Sequence, residues 1–278
     1  MVLVLSVRQV TSIPLEADGV HPETFRGRSL DEIRRTPLQY GNKQVPLAEF
    51  FNVSGSAEDG EIHWQGDCSR VKLIGSGLRD GRVVVEGDAG MHLGAEMRGG
   101  EILVRGNAGD WVGAEMHGGR IAIQGDAGHL VGGVYRGGRR GMTGGEIFIQ
   151  GNAGNEIGHT MRRGLIAIGG HAGDAVGFNM IAGSVLVFGR AGRRAGAGMR
   201  RGTIGLFQSA DPPSLLPTFK YTGTSRPTFL RYLFKYLSHR GMSFPSEIWD
   251  VAYRRYAGDF LELGKGEILL REAVAGTA

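Results

Sequence analysis

The sequence predicts an all-β core, a right-handed parallel β-helix of about seven coils, with an N-terminal cap and a partly helical C-terminal extension. Three observations predict it. Between Gly87 and Gly202 one short pattern is written six times: Gly-x-Ala-Gly, three residues, Gly, two residues and Met, then a pair of mostly small residues before an apolar strand. The copies start at Gly87, Gly106, Gly125, Gly151, Gly170 and Gly189, a period of 19 with one seven-residue insertion, and a degenerate copy starts at Gly66. A fixed period near 20 residues is the mark of a stacked-coil architecture. Second, each copy ends in a stretch of period-two alternation, the signature of a strand with one buried face. Third, the chain has 49 glycines in 278 residues without a Gly-X-Y period. Helical repeats are longer and disfavour glycine, so an α-solenoid is excluded.

Residues 1–60 read as a capping region. Met1 to Val7 is expected to form a short strand. Ser29-Leu30-Asp31-Glu32 is a capping-box signature opening a short helix through Arg35, stopped by Pro37. Leu47 to Val53 supplies an apolar segment that can cover the open first coil, as terminal repeats of solenoids require.

Residues 61–207 read as the β-helix. Val83/Val85, Ile102/Val104, Ile121/Ile123, Ile147/Ile149, Ile166/Ile168, Val185/Val187 and Ile204/Leu206 form one inward column. Leu93, Val112, Val131, Ile157, Val176 and Ala195 form a second, and Met97, Met116, Met142, Met161, Met180 and Met199 a third. Stacked thioethers in a narrow core are read as gap fillers in preference to a soft-metal site. The recurring Gly-x-x-Gly-x-x-x-Gly lets the chain turn corners, with Asp88, Asn107, Asp126 and Asn152 as turn formers. A nucleotide-binding glycine loop occurs once, before a long helix, and does not recur in every coil. The outward row Val84, Leu103, Ala122, Phe148, Ala167 and Leu186 is also apolar. Either a terminal segment of the chain or a partner subunit covers it, and the partner is the preferred expectation.

Residues 208–278 read as a linker followed by an α-helical docking or capping segment. Asp211-Pro212-Pro213 breaks the repeat. Thr228 to His239 has an apolar stripe of Phe229, Leu230, Leu233, Phe234 and Leu237, with Gly241 beyond its end. A second helix is expected over Ser246 to Tyr256.

Charge is unevenly spread: −5 over residues 1–132, +7 over 133–202 and +2 over 203–278. All ten basic residues of the middle block are arginines. The 19-residue period puts Arg162/Arg163 and Arg200/Arg201 at one corner two coils apart. Coils about 4.8 Å apart make these pairs a ridge. One reading is a solvated or partner-facing surface. Nucleic acid is a weaker one, because no aromatic residues interleave with the arginines as a stacking platform.

The chemistry of common enzymes is missing. The eight histidines show no metal-ligand spacing, and there is no Gly-x-Ser-x-Gly elbow. The single cysteine, Cys68, gives neither a disulfide framework nor an iron–sulfur site. Polysaccharide-cleaving β-helices need clustered carboxylates, whereas Glu101 and Glu146 here alternate with Arg120. Without a long apolar run or signal-peptide pattern, the expected location is the cytoplasm.

The repeat resembles the β-helical C-terminal domain of the glutamate synthase large subunit. Taken with Pro14-Leu15-Glu16-Ala17, Gly41-Asn42, Leu47 to Phe51, Leu215-Leu216-Pro217-Thr218-Phe219 and Lys265-Gly266-Glu267-Ile268, it more closely resembles the C subunit of formylmethanofuran dehydrogenase and its counterpart in the related bacterial formyltransferase/hydrolase complex. The resemblance implies a scaffold subunit with no catalytic residue and no metal of its own. Formyltransferase-like, amidohydrolase-like and dehydrogenase-B-like partners would transfer a formyl group from formyl-tetrahydromethanopterin to a methanofuran-type carrier and release formate. It also implies a ligand for the ridge, the polyglutamate tail of that carrier, at Arg139, Arg140, Arg162, Arg163, Arg200 and Arg201. The alternatives are the C subunit of a molybdenum or tungsten formylmethanofuran dehydrogenase and a glutamate-synthase-like structural domain.

Overall fold

The computed structural model describes residues 2–9, 11–208 and 215–272. The Asp211-Pro212-Pro213 break and Met1 lie outside the described residues. In chain order the elements begin with β1 (Leu3–Val7), β2 (Leu15–Glu16), α1 (Pro22–Phe25), α2 (Leu30–Arg34), β3 (Pro37–Tyr40) and β4 (Lys43–Pro46). Then come α3 (Leu47–Phe50), β5 (Phe51–Ser54), β6 (Glu61–Gln65), β7 (Val71–Lys72), β8 (Arg82–Val85), β9 (Glu101–Val104), β10 (Arg120–Ile123) and β11 (Glu146–Ile149). The rest are β12 (Leu165–Ile168), β13 (Ser184–Val187), β14 (Arg201–Leu206), β15 (Lys220–Ser225), α4 (Thr228–His239), β16 (Tyr253–Gly258) and β17 (Lys265–Arg271).

A 13-stranded sheet runs the length of the molecule in the order β15-β16-β17-β14-β13-β12-β11-β10-β9-β8-β6-β1-β5. From β1 to β17 its pairings are parallel, and from β8 to β14 each strand sits one repeat from its neighbour, as in Val83↔Ile102 and Val185↔Ile204. The Gly-x-Ala-Gly alanines form a second parallel column of isolated bridges, Cys68↔Ala89 through Ala172↔Ala191. Successive repeats are therefore stacked, and among the described residues this sheet leaves an edge open only at its end strands β15 and β5.

The three inward columns are the core. The paired strand residues are buried throughout, as are Leu93 to Ala195 of the second column, and all six methionines of the third are fully buried. Five of the six methionines also explain a glycine in the next repeat, and Met199 does the same for Gly266 of β17. A Cβ on Gly164, whose φ is +106°, would stand 2.7 Å from the Met142 methyl and 2.7 Å from the Gly145 carbonyl oxygen.

The polar turn residues do more than favour turns. Asp88 accepts from the Asn107 N–H (2.7 Å), Asn107 from Asp126 (2.8 Å), Asp126 from Asn152 (2.6 Å), Asn152 from His171 (2.8 Å) and His171 Nδ1 from Arg190 (2.8 Å). A second ladder runs from Asp110 through His129, Asn155 and Asp174 to the Arg193 N–H. Each side chain thus satisfies a backbone donor one coil away.

The N-terminal elements follow the sequence. Ser29 caps α2 in a capping box with Glu32. The strand β1 enters the main sheet between β6 and β5. The C-terminal elements depart from expectation twice. Ser246 to Tyr256 is not a helix: a 3-10 turn covers Ser246–Ile248, and β16 begins at Tyr253 and pairs antiparallel with β17. The stretch is a strand because the returning β17 pairs with it, Tyr253 opposite Arg271 and Tyr256 opposite Ile268. Second, the outward row at Phe148, Ala167 and Leu186 is covered by the chain itself. The α4 residues Leu230, Phe234 and Leu237 pack on it in one buried cluster with Phe188 and Phe207, and the Tyr236 hydroxyl donates to Glu146 (2.6 Å). No helix among the described residues is long and apolar enough to cross a membrane.

Candidate functional site: an arginine-lined groove

The corner after each methionine builds the site. Backbone N–H groups of His117, Thr143, Arg162, Ile181 and Arg200 donate in turn to the carbonyls of Met97, Met116, Met142, Met161 and Met180 (2.7–2.8 Å). These five residues are therefore one column, one residue per coil. Arg163 and Arg201 each follow their column residue by one position, and the repeat period places the pairs two coils apart.

Two grooves lie along this column. One, of about 480 Å³, is lined by Arg162, Arg163, Arg200 and Arg201 together with Ile181 and Leu263. The other, of about 420 Å³, is lined by Glu115, His117, Arg140, Thr143, Arg162 and Arg163. Arg162 and Arg163 line both, so the two grooves adjoin at this arginine pair. Of the six arginines marked in the sequence, five line this surface. Arg139 lies exposed on the insertion beside Arg140 and lines neither groove.

The insertion is held in place by aromatic contacts. The Tyr135 hydroxyl shares a hydrogen bond with His92 Nδ1 (2.9 Å), its ring stacks on Trp111 at 5.1 Å, and its N–H donates to Glu115 (3.0 Å). Burial, with Glu96 and Glu115 nearby, pushes the Tyr135 phenol up to about 12. It stays a neutral hydroxyl. This anchorage carries Arg140 to the groove.

Sequence reasoning missed several lining residues. His117 and Thr143, which share a 2.7 Å hydrogen bond, occupy the Arg162 column and could have been read from the repeat register. Leu263 could not. It lies outside the repeat and reaches the groove only because β17 returns to the sheet, which also brings Glu262 to Arg200 at 3.2 Å.

Chemically the groove offers closely spaced guanidinium groups, suited to multidentate binding of carboxylates. Among the described residues no group of three or more His, Cys, Asp or Glu side chains could hold a metal ion. Cys68 is buried, and burial followed by the charge of Asp67 pushes its thiol up to about 12, which makes it a poor nucleophile.

The fold and site thus define a glycine-repeat, parallel-stacked β protein with a cationic groove. A sequence profile described as the GXGXG motif matches residues 64–212, more than half of the chain. The C subunit of molybdenum-containing formylmethanofuran dehydrogenase 1 from Methanothermobacter marburgensis is 49% identical over 95 residues, 34% of this chain and 24% of that protein. The C subunit of tungsten-containing formylmethanofuran dehydrogenase 2 from Methanothermobacter thermautotrophicus is 40% identical over 97 residues, 34% of this chain and 36% of that protein. The match thus spans about a quarter to a third of the length of these curated relatives. Among solved structures, a chain of the formyltransferase/hydrolase complex from Methylorubrum extorquens in complex with methylofuran superposes with a TM-score of 0.89. It is 34% identical, covering 96% of this chain and 98% of that one. The chain belongs to the GXGXG family and, within it, to the family of formylmethanofuran dehydrogenase C subunits.

Proposed function

We propose that this chain is the non-catalytic scaffold subunit of a formyltransferase/hydrolase complex in one-carbon metabolism. The observation that carries this reading is the similarity to a chain of the Methylorubrum complex along 96% of the sequence, flanks as well as repeat. In such a complex a formyl group passes from formyl-tetrahydromethanopterin to a methanofuran-type carrier and is hydrolysed to formate. Formyltransferase-like and amidohydrolase-like subunits do the chemistry, with a dehydrogenase-B-like subunit alongside. Residues 61–207 act as a right-handed β-helix of seven coils, 1–60 as its cap and 208–278 as a capping and docking segment. A stiff stack holds its partners at fixed separation, so that a tethered carrier meets each site at high effective concentration.

In this reading the groove is the track for the carrier's polyglutamate arm, with Arg140, Arg162, Arg163, Arg200 and Arg201 facing its carboxylates and Arg139 adding charge from the adjoining insertion. Two coil steps, about 10 Å, separate Arg162 from Arg200, which matches about three residues of an extended chain. The test is titration of the complex with a fluorescent polyglutamate peptide at two salt concentrations. Replacing Arg162, Arg163, Arg200 and Arg201 by Ser is expected to weaken binding at least about ten-fold and to flatten its salt dependence. Unchanged binding overturns the track.

The second reading, the C subunit of a molybdenum or tungsten enzyme, is favoured by the 49% identity over 95 residues to the molybdenum-containing relative. Metal analysis of the purified complex separates the two.

A further inference from the structure

Exposed apolar surface is concentrated at the loop between β16 and β17. Phe260 is 56% exposed, Leu261 80% and Leu263 53%. The loop is firmly held. Asp259, itself buried, accepts from the N–H groups of Leu261 (2.9 Å) and Gly198 (3.0 Å), and its carbonyl accepts from Glu262 (3.1 Å) and Gly264 (3.0 Å). The Phe260 N–H donates to the Thr218 carbonyl (3.2 Å) and Glu262 pairs with Arg200. A Cβ on Gly264 would stand 2.8 Å from the Phe260 ring, so that ring lies over the glycine. Three large apolar side chains are thus displayed to water on a loop with little freedom left to lose. Water opposes such display, and low ordering cost is what a docking anchor requires.

We infer that Phe260, Leu261 and Leu263 form an apolar knob that seats in another protein, whose surface offers an apolar socket rimmed by carboxylates. The rim's charge follows from the base of the loop. Arg201 and Lys265 are register partners across β14 and β17 and both are exposed, while the loop's own carboxylate, Glu262, is taken by Arg200. Lys265 therefore faces outward beside the knob with no carboxylate partner among the described residues, next to the groove-lining Arg201, and a partner's Asp or Glu complements it. A lipid surface is a poorer occupant, because the knob stands beside a concave groove of about 480 Å³ that a flat bilayer would leave unfilled. The inference rests on the scaffold reading in one respect: the partner belongs to the same complex.

The test uses the buried state of Cys68, which leaves Leu261→Cys as the one reactive thiol. The variant is prepared alone and as the complex assembled in its host, and both are treated with a maleimide. Labelling is expected to be at least ten-fold slower in the complex. A Leu261→Glu variant with an unchanged melting temperature is expected to drop out of the complex in native mass spectra. Equal labelling in an assembled complex overturns the knob and leaves the scaffold reading standing. A host preparation in which the chain has no protein partner overturns both. Protection already present in the isolated chain would mark a self-dimer and also overturn the knob. So would binding to phosphatidylglycerol vesicles that Leu261→Glu abolishes while assembly is unaffected.

Discussion

The Asp259 carboxylate accepts the Gly198 N–H at 3.0 Å, in the place where a further coil would supply a carbonyl. Inside the stack the corresponding donors of Glu96, Glu115, Thr160 and Asn179 go to the carbonyls of Ala114, Gly133, Phe178 and Ala197. Gly198 has no following coil, and a side chain from the returning C-terminal segment takes over. Asp259→Ala leaves the Gly198 and Leu261 donors without this acceptor and is expected to cost about 1–3 kcal/mol, read as a lower melting temperature. Burial by itself would raise the Asp259 carboxyl, but the Leu261 and Gly198 N–H groups outweigh it and hold it below the ordinary aspartate range. A lowered folded-state value means the contribution is complete above the unfolded value near about 4 and is lost as pH falls through the folded one. The gap in melting temperature between wild type and variant should be constant near neutral pH and close in acid.

His129 and His171 occupy ladder positions that Asn and Asp fill in other coils. Each accepts a backbone N–H on Nδ1 at 2.8 Å, which places the ring proton on Nε2. Nitrogen-15 chemical shifts at neutral pH are expected to report that tautomer. His129→Asn should be tolerated within about 0.5 kcal/mol and His129→Ala should cost about 1 kcal/mol, since only the former keeps an acceptor for the Asn155 N–H. Equal losses in the two variants would show that the ladder does not stabilise the stack.

The α4 helix replaces an outside partner over the row of Phe148, Ala167 and Leu186. Phe234 is buried there, edge-on to Phe207 at 5.2 Å. Phe234→Ala in the isolated chain should therefore cost about 3–5 kcal/mol in urea unfolding. A negligible loss would mean that α4 is not seated on the sheet in solution.

Gly164→Ala tests the packing of methionine over glycine. The added methyl meets the Met142 methyl and a backbone carbonyl at a positive φ. A loss of about 1–3 kcal/mol is expected. Met142→Ala in the same background should relieve only the side-chain part of the clash, and the strained backbone should remain.

The stack was legible in the sequence because each coil repeats one physical solution. The Ile102, Leu93 and Met97 columns, the Ser29 cap and most of the α4 stripe follow from local periodicity or capping chemistry, although Phe229 of that stripe is exposed. The arginine corner was legible for the same reason, since a 19-residue period fixes which residues share a column. Contacts joining distant parts of the chain were hidden. Nothing in the pattern placed Tyr135 on Trp111, α4 on Phe148 or Glu262 on Arg200. The stretch around Tyr253 read as a helix because its strand character comes from pairing with Leu269 to Arg271 and not from local propensity.

The most direct test of the scaffold role is the native mass spectrum of the tagged chain purified from its own host at low salt. The expected result is an assembly containing formyltransferase-like and amidohydrolase-like subunits, without molybdenum or tungsten. A solitary chain would contradict it.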